Sequence, residues 1–114
     1  MKFDTFNFHP SVASGVAAAG YETPTPIQSR AIPKVSSGGD VMGLAQTGTG
    51  KTAAFVLPIL DRLVGRKYGC VRALVVAPTR ELAEQIHQEF EILGRKTQLK
   101  SVTVYGGVGV NQQI

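Results

Sequence analysis

Ala45-Gln46-Thr47-Gly48-Thr49-Gly50-Lys51-Thr52 is the stretch on which the reading of this chain turns. Gly48 and Gly50 carry no side chain and permit unusual backbone angles, so successive N–H groups can point inward at a compact anion. Lys51 adds a point charge able to reach the β and γ phosphates of a nucleotide, and the Thr52 hydroxyl can sit on a Mg²⁺ bridging them. A helix opening at Lys51 aims its positive end at the same place. The general pattern has glycine five residues before Gly50, where this chain has the similarly small Ala45. What separates a phosphate loop from a chance Gly-Lys-Thr is its context, a strand before it and a helix after it. Both are expected here: Asp40–Ala45 (Asp-Val-Met-Gly-Leu-Ala) reads as a short buried strand, and Lys51 to about Val64 as a helix with a bend at Pro58.

Further along, Ala73-Leu74-Val75-Val76-Ala77-Pro78 is β-branched, apolar and closed by proline, as expected for a strand buried on both faces. A helix follows from about Arg80 to Leu93, with Leu82, Ile86, Phe90 and Leu93 along one apolar face and Gly94 as its stop. Ser101–Tyr105 reads as a third strand, ahead of Gly106-Gly107. Upstream, Pro10 to Ala19 reads as a helix stopped by Gly20. A second helix starts at Thr25-Pro26, weakens at Pro33 and ends by Ser36-Ser37-Gly38-Gly39. Strands alternating with helices imply a parallel sheet with right-handed crossovers, an α/β fold whose ligands bind beyond the carboxyl ends of the strands. The loop at 45–52, the Pro78-Thr79-Arg80 segment and Gly106-Gly107 all fall at such ends.

Bulk properties set few limits. The 114 residues suit one domain or part of one, and 43% hydrophobic with 18% charged residues suits a packed core rather than a disordered chain. A net charge of +4 and a pI near 9.5 are compatible with a polyanion partner without requiring one. The single cysteine, Cys70, excludes an intrachain disulfide and points to a reducing compartment, with a structural thiol at a turn entering a strand. The start has no signal-peptide pattern, and the longest apolar runs are too short to span a bilayer. His9 and His87 lack ligand spacing and are expected at the surface.

Four segments, in order and at fitting separations, resemble the DEAD-box ATP-dependent RNA helicases over nearly the whole chain. Gly20-Tyr21-Glu22-Thr23-Pro24-Thr25-Pro26-Ile27-Gln28 looks like that family's Q motif, with Phe3 as its isolated upstream aromatic. Ala45–Thr52 is similar to motif I, in which alanine at the first position is usual. Pro78-Thr79-Arg80-Glu81-Leu82-Ala83-Glu84-Gln85 is similar to motif Ia, and Gly106-Gly107 to the GG motif.

The resemblance implies a RecA-like domain with a parallel sheet flanked by helices, truncated after its third strand. Residues 1–39 would be a helical segment carrying the Q motif, and 40–114 the first part of the ATP-binding domain. It implies ATP and Mg²⁺ as cofactors, held by Phe3, Thr23, Gln28 and Ala45, Gln46, Thr47, Gly48, Thr49, Gly50, Lys51 and Thr52. Lys51 and Thr52 would be the catalytic members, with Thr52 on the metal. Phe3 would stack on adenine and Gln28 would hydrogen-bond its edge. Thr23 stands where the family often has lysine or arginine, at a position expected to act through its backbone. Pro78, Thr79, Arg80, Gly106 and Gly107 would hold RNA by its backbone, without regard to sequence.

Each of these residues also has a plainer reading. Thr25 and Gln28 fit a capping box, Phe3 a core aromatic, Thr79 a helix cap, and Gly106-Gly107 a strand-ending turn. The sequence contains no Asp-Glu-Ala-Asp and no second domain with arginine fingers, so this chain by itself is expected to hydrolyse nothing. In RecA-like sheets the phosphate-loop strand and the motif Ia strand are not neighbours, and strands that come later in the chain lie between them. Ala73–Pro78 is therefore expected to lack partners. The alternatives are a nucleotide-binding fragment without hydrolysis, or the front of another P-loop superfamily 2 ATPase acting on DNA. Location in the cytoplasm, without membrane contact, completes the expectation.

Overall fold

The computed structural model describes residues 2–44, 50–66 and 69–105. Among them the chain forms a 3₁₀ turn at Phe3–Phe6 and helices α1 (Pro10–Ala18), α2 (Pro26–Ser36), α3 (Lys51–Leu63) and α4 (Arg80–Leu93). All four helices fall where the sequence places them, within a residue at their ends.

Their termini have local causes. Pro10 and Pro26 take up first-turn positions, where the missing N–H costs nothing. Gly20, at φ +82°, lies just past α1 in the left-handed region that closes helices. At the start of α4 the Thr79 hydroxyl accepts from the Leu82 amide at 3.1 Å, which satisfies one of the orphan donors there. The sequence reading missed two features of this end of the chain: the Phe3–Phe6 turn, and His9 as N-cap of α1, its ring accepting from the Ser11 amide at 3.2 Å.

The core is helical. Leu57, Val56 and Leu60 of α3 pack with Val12 and Val16 of α1, Ile32 of α2, Leu93 of α4 and Phe3, all buried. This follows from α3 being apolar on most of its surface: Ala53, Ala54, Val56, Leu57, Pro58 and Leu60 are all buried. On α4 the expected apolar face holds, with Ile86 and Leu93 buried and Leu82 and Phe90 partly so. Helix α1 approaches α4 so closely that a Cβ on Gly15 would overlap the Leu93 carbonyl oxygen.

The three expected strands are not formed among the described residues. Residues 40–44, 71–77 and 101–105 are non-helical, and most of their large apolar side chains face outward: Met42 and Val71 are 89% exposed, Leu74 and Val76 84%. A strand exists only by exchanging hydrogen bonds with a neighbour. With the phosphate-loop segment and the motif Ia segment expected to be separated by other strands, neither finds one, and the outward valines and leucines mark faces that a sheet would cover. Cys70 is exposed beside this region, so its thiol is not packed into a strand.

Candidate nucleotide cleft

A cleft of about 430 Å³ opens between the N-terminal segment and the start of α3, lined by Phe3, Gly20, Tyr21, Glu22, Thr23, Thr25, Gln28 and Gly50. That volume lies within the range of roughly 300–1,000 Å³ common to small-molecule sites. Four of the expected ligand-holding residues, Phe3, Thr23, Gln28 and Gly50, are thus brought to one place. Lys51 and Thr52 follow directly as the first residues of α3, Lys51 exposed and Thr52 half-buried. Ala45, Gln46, Thr47, Gly48 and Thr49, and likewise Gly106 and Gly107, lie outside the described residues.

Gln28 organises the cleft. It is 3% exposed, and its amide is bonded at both ends: Oε1 accepts from the Thr25 backbone N–H at 2.9 Å, and Nε2 donates to the Gly50 carbonyl at 3.1 Å. These partners fix which end of the amide is oxygen and which nitrogen. The first bond is the glutamine arm of the capping box expected at Thr25-Pro26-Ile27-Gln28. In the other arm of the box Thr25 Oγ1 faces the Gln28 backbone N–H as its acceptor, but the contact falls short of a full hydrogen bond, and among the described residues this buried oxygen has no other partner. The second bond crosses to the phosphate-loop helix. Gly50 is its N-cap, with φ +84°, and its carbonyl also accepts from the Ala54 amide at 3.2 Å. A side chain at position 50 is doubly excluded, because φ is positive and a Cβ would overlap Gln28 Nε2.

The aromatic wall is built from Phe3 and Tyr21, whose ring centroids are 5.8 Å apart. Phe3 also meets Phe6 edge-on and is 6% exposed, so it is both a core residue and part of the cleft wall. Its amide donates to the Glu22 carbonyl at 3.2 Å, which ties the N-terminal turn to the Q-motif loop. Tyr21 hydroxyl donates to Glu89 Oε1 of α4 at 2.6 Å. Burial, with the Glu89 hydrogen bond and charge adding to it, pushes the Tyr21 pKa up to about 12.

Sequence reasoning did not single out Tyr21 and Glu22 as lining residues. The Tyr21–Glu89 bond joins positions 68 apart and leaves no local trace in the sequence.

Pro78, Thr79 and Arg80 do not line this cleft. They form the start of α4, with Thr79 as cap and the Arg80 guanidinium 5.1 Å from the centre of the Tyr105 ring. His87 departs from the surface position expected of it: it is half-buried, hydrogen-bonded to Ser101 and 2.9 Å from Glu91. Among the described residues there is no cluster of His, Cys, Asp or Glu suited to a metal ion, and no helix long and apolar enough to cross a membrane.

The residues present suit an adenine nucleotide. An apolar aromatic edge, a buried amide and a buried Thr25 hydroxyl with no full hydrogen bond among the described residues meet in one cleft, beside a helix N-terminus that begins Gly-Lys-Thr.

The family model described as "DEAD/DEAH box helicase" matches residues 25–114, and the chain belongs to that family. Among the relatives, the DEAD-box ATP-dependent RNA helicase RhpA of Helicobacter pylori is 50% identical over 111 residues, which cover 97% of this chain and 22% of that protein. The ATP-dependent RNA helicase RhlB of Xanthomonas campestris is 44% identical over 119 residues, covering 99% of this chain and 21% of that protein. The crystal structure of the RNA-helicase Prp28 from Chaetomium thermophilum bound to ADP superposes with a TM-score of 0.86 at 36% identity, over 98% of this chain and 28% of that one. The chain thus spans about a fifth of the length of these curated relatives.

Proposed function

We propose that this chain is the ATP-binding front part of a DEAD-box ATP-dependent RNA helicase, and that it holds adenine in the Phe3–Gln28–Gly50 cleft. The observation that carries this reading is the bonding of Gln28. A glutamine amide offers two N–H donors and two acceptor lone pairs. Thr25 N and Gly50 O take one of each, leaving one donor and one acceptor on the amide. Adenine's N7 accepts and its N6 amino group donates, which is the complementary pair. Capping and adenine contact are therefore compatible roles for one side chain. The ADP in the related Prp28 structure supports an adenine nucleotide as the ligand class.

In this reading Phe3 and Tyr21 give the base an apolar wall, and Thr23 contributes through its backbone. Gly48 and Gly50 free backbone amides for the phosphates, with Lys51 supplying charge at the β and γ positions. Thr52 would hold Mg²⁺, which neutralises developing charge on the phosphates when bound. In the complete domain, residues 40–45, 73–78 and 101–105 become strands of a RecA-like parallel sheet. Pro78, Thr79, Arg80, Gly106 and Gly107 grip RNA through phosphate and sugar, and the whole protein separates RNA duplexes in the cytoplasm.

The sequence given has neither an Asp-Glu-Ala-Asp nor arginine fingers, so binding without turnover is the expected behaviour of this chain. Incubation with ATP, Mg²⁺ and single-stranded RNA should release phosphate at the background rate. Release that vanished with Lys51→Ala would show a hydrolytic site complete within these residues and would reject the reading of the chain as a partial one.

A further inference from the structure

Tyr21 is held at three points. The Gly20 amide donates to the Ala17 carbonyl at 3.0 Å and the Tyr21 amide to the Val16 carbonyl at 3.2 Å, the paired bonds of a Schellman motif closing α1. Gly20, at φ +82°, supplies the left-handed residue that this motif needs. The tyrosine backbone is thereby fixed at the edge of the cleft. Its ring lies 5.8 Å from the Phe3 ring, tilted by 42°. Its hydroxyl donates to Glu89 Oε1 at 2.6 Å. Glu89 is within reach because α1 and α4 cross closely: Leu93, one turn further along α4, sets its carbonyl against Gly15 with no room for a Cβ. The carboxylate thus acts on the cleft wall from a helix that contributes no lining residue itself.

We propose that Glu89 is a positioning residue for the nucleotide cleft, setting the Tyr21 ring beside Phe3 so that the aromatic wall is in place before the base arrives. The inference rests on the reading of the Phe3–Gln28–Gly50 cleft as an adenine site and adds to it a residue that does not touch the ligand. A tyrosine side chain turns about two torsions, and a bond at its far end restrains both at once. Without that bond the ring must be ordered each time a base binds, which weakens binding. The acceptor is a carboxylate, so the bond is of the short, charge-assisted kind, and both side chains are half-buried. Phe3, the expected stacking partner of the base, has Tyr21 as a ring neighbour, so a Tyr21 that swings away loosens both parts of the wall.

The test compares, in the 114-residue chain with Mg²⁺, affinity for ATP with affinity for inorganic tripolyphosphate, which lacks the base; circular dichroism checks that each variant is folded. Glu89→Ala weakens ATP binding about three- to tenfold and leaves tripolyphosphate binding unchanged. Tyr21→Phe, which removes the same bond and keeps the ring, does the same. Glu89→Gln retains an acceptor for the phenol and binds ATP within about twofold of wild type. The Tyr21 phenol, titrating at about 12 in wild type, titrates lower in Glu89→Ala, where burial alone holds it up. An unchanged Tyr21 titration in Glu89→Ala means that the bond is not formed and overturns the inference. So does wild-type ATP affinity in Glu89→Ala or Tyr21→Phe, or an equal loss of ATP and tripolyphosphate. In each of these cases the adenine reading survives as long as wild type prefers ATP to GTP. Equal affinity of wild type for ATP and GTP would reject that reading and the inference with it.

Discussion

Gln28 and Gly50, 22 positions apart, are joined by a hydrogen bond of 3.1 Å from the Gln28 amide to the carbonyl that also begins the hydrogen bonding of α3. The first residues of the phosphate-loop helix are thereby referenced to the Q motif, and any displacement of one must be felt by the other. Because the amide is buried, the link is sensitive to a change of one atom.

Gln28→Glu is the smallest such change. It places a carboxylate oxygen where Nε2 donates, facing the Gly50 carbonyl, and leaves a buried acceptor without a donor. The variant should lose about 1–3 kcal/mol of stability at neutral pH in urea denaturation. The deficit should shrink as pH falls towards about 4, because burial beside the carbonyl raises the pKa of the new acid in the folded state and the protonated acid regains one O–H donor. Equal stability of the two proteins at neutral pH would mean that the Gln28–Gly50 bond is not formed in solution.

Tyr21 provides a test in alkali. Its folded pKa is about 12, against an ordinary value of 10.0, raised by burial first and by Glu89 second. A pKa higher in the folded state means the fold favours the protonated phenol. The resulting stabilisation is complete below pH 10 and is lost as pH rises towards 12. Tyr21→Phe should therefore fall below wild type in stability near neutrality, with the gap narrowing across that window. A gap independent of pH would show that folding does not raise the Tyr21 pKa.

The division between a helical core and outward-facing apolar segments predicts a contrast between two leucines. Leu57→Ala, at a fully buried position, should cost about 2–5 kcal/mol. Leu74→Lys, where the side chain is 84% exposed, should change stability by no more than about 0.5 kcal/mol and should reduce self-association. Denaturant unfolding and light scattering read the two effects. A large loss of stability in Leu74→Lys would mean that the 71–77 segment is packed in solution.

Much of the helical half was legible in the sequence because its signals are local. Pro10, Pro26 and Thr79 at helix starts and Gly20 and Gly94 past helix ends act within a turn of where they stand, and the periodic apolar face of α4 runs along its own sequence. The cleft could be read only in part. Phe3, Thr23, Gln28 and Gly50 were brought together by resemblance, since composition and spacing left Gln28 as a cap and Phe3 as a core aromatic. Both of those plainer descriptions also hold in the structure, because a buried residue can wall a cleft and an amide can serve two partners. Tyr21–Glu89 and Arg80–Tyr105 were invisible because they join distant positions through side-chain geometry alone. The 73–78 and 101–105 segments carry strand-like sequences, but a strand is a property of a pair, and sequence pattern cannot supply the partner.

The central claim is that Gln28 reads adenine beside a phosphate loop closed by Lys51. Titration of labelled ATP and GTP with Mg²⁺ into the folded chain, for wild type and Lys51→Ala, tests it most directly. The account predicts ATP bound in preference to GTP, with both lost in Lys51→Ala while circular dichroism stays unchanged. Equal affinity for the two nucleotides, or ATP binding that survives Lys51→Ala, would contradict it.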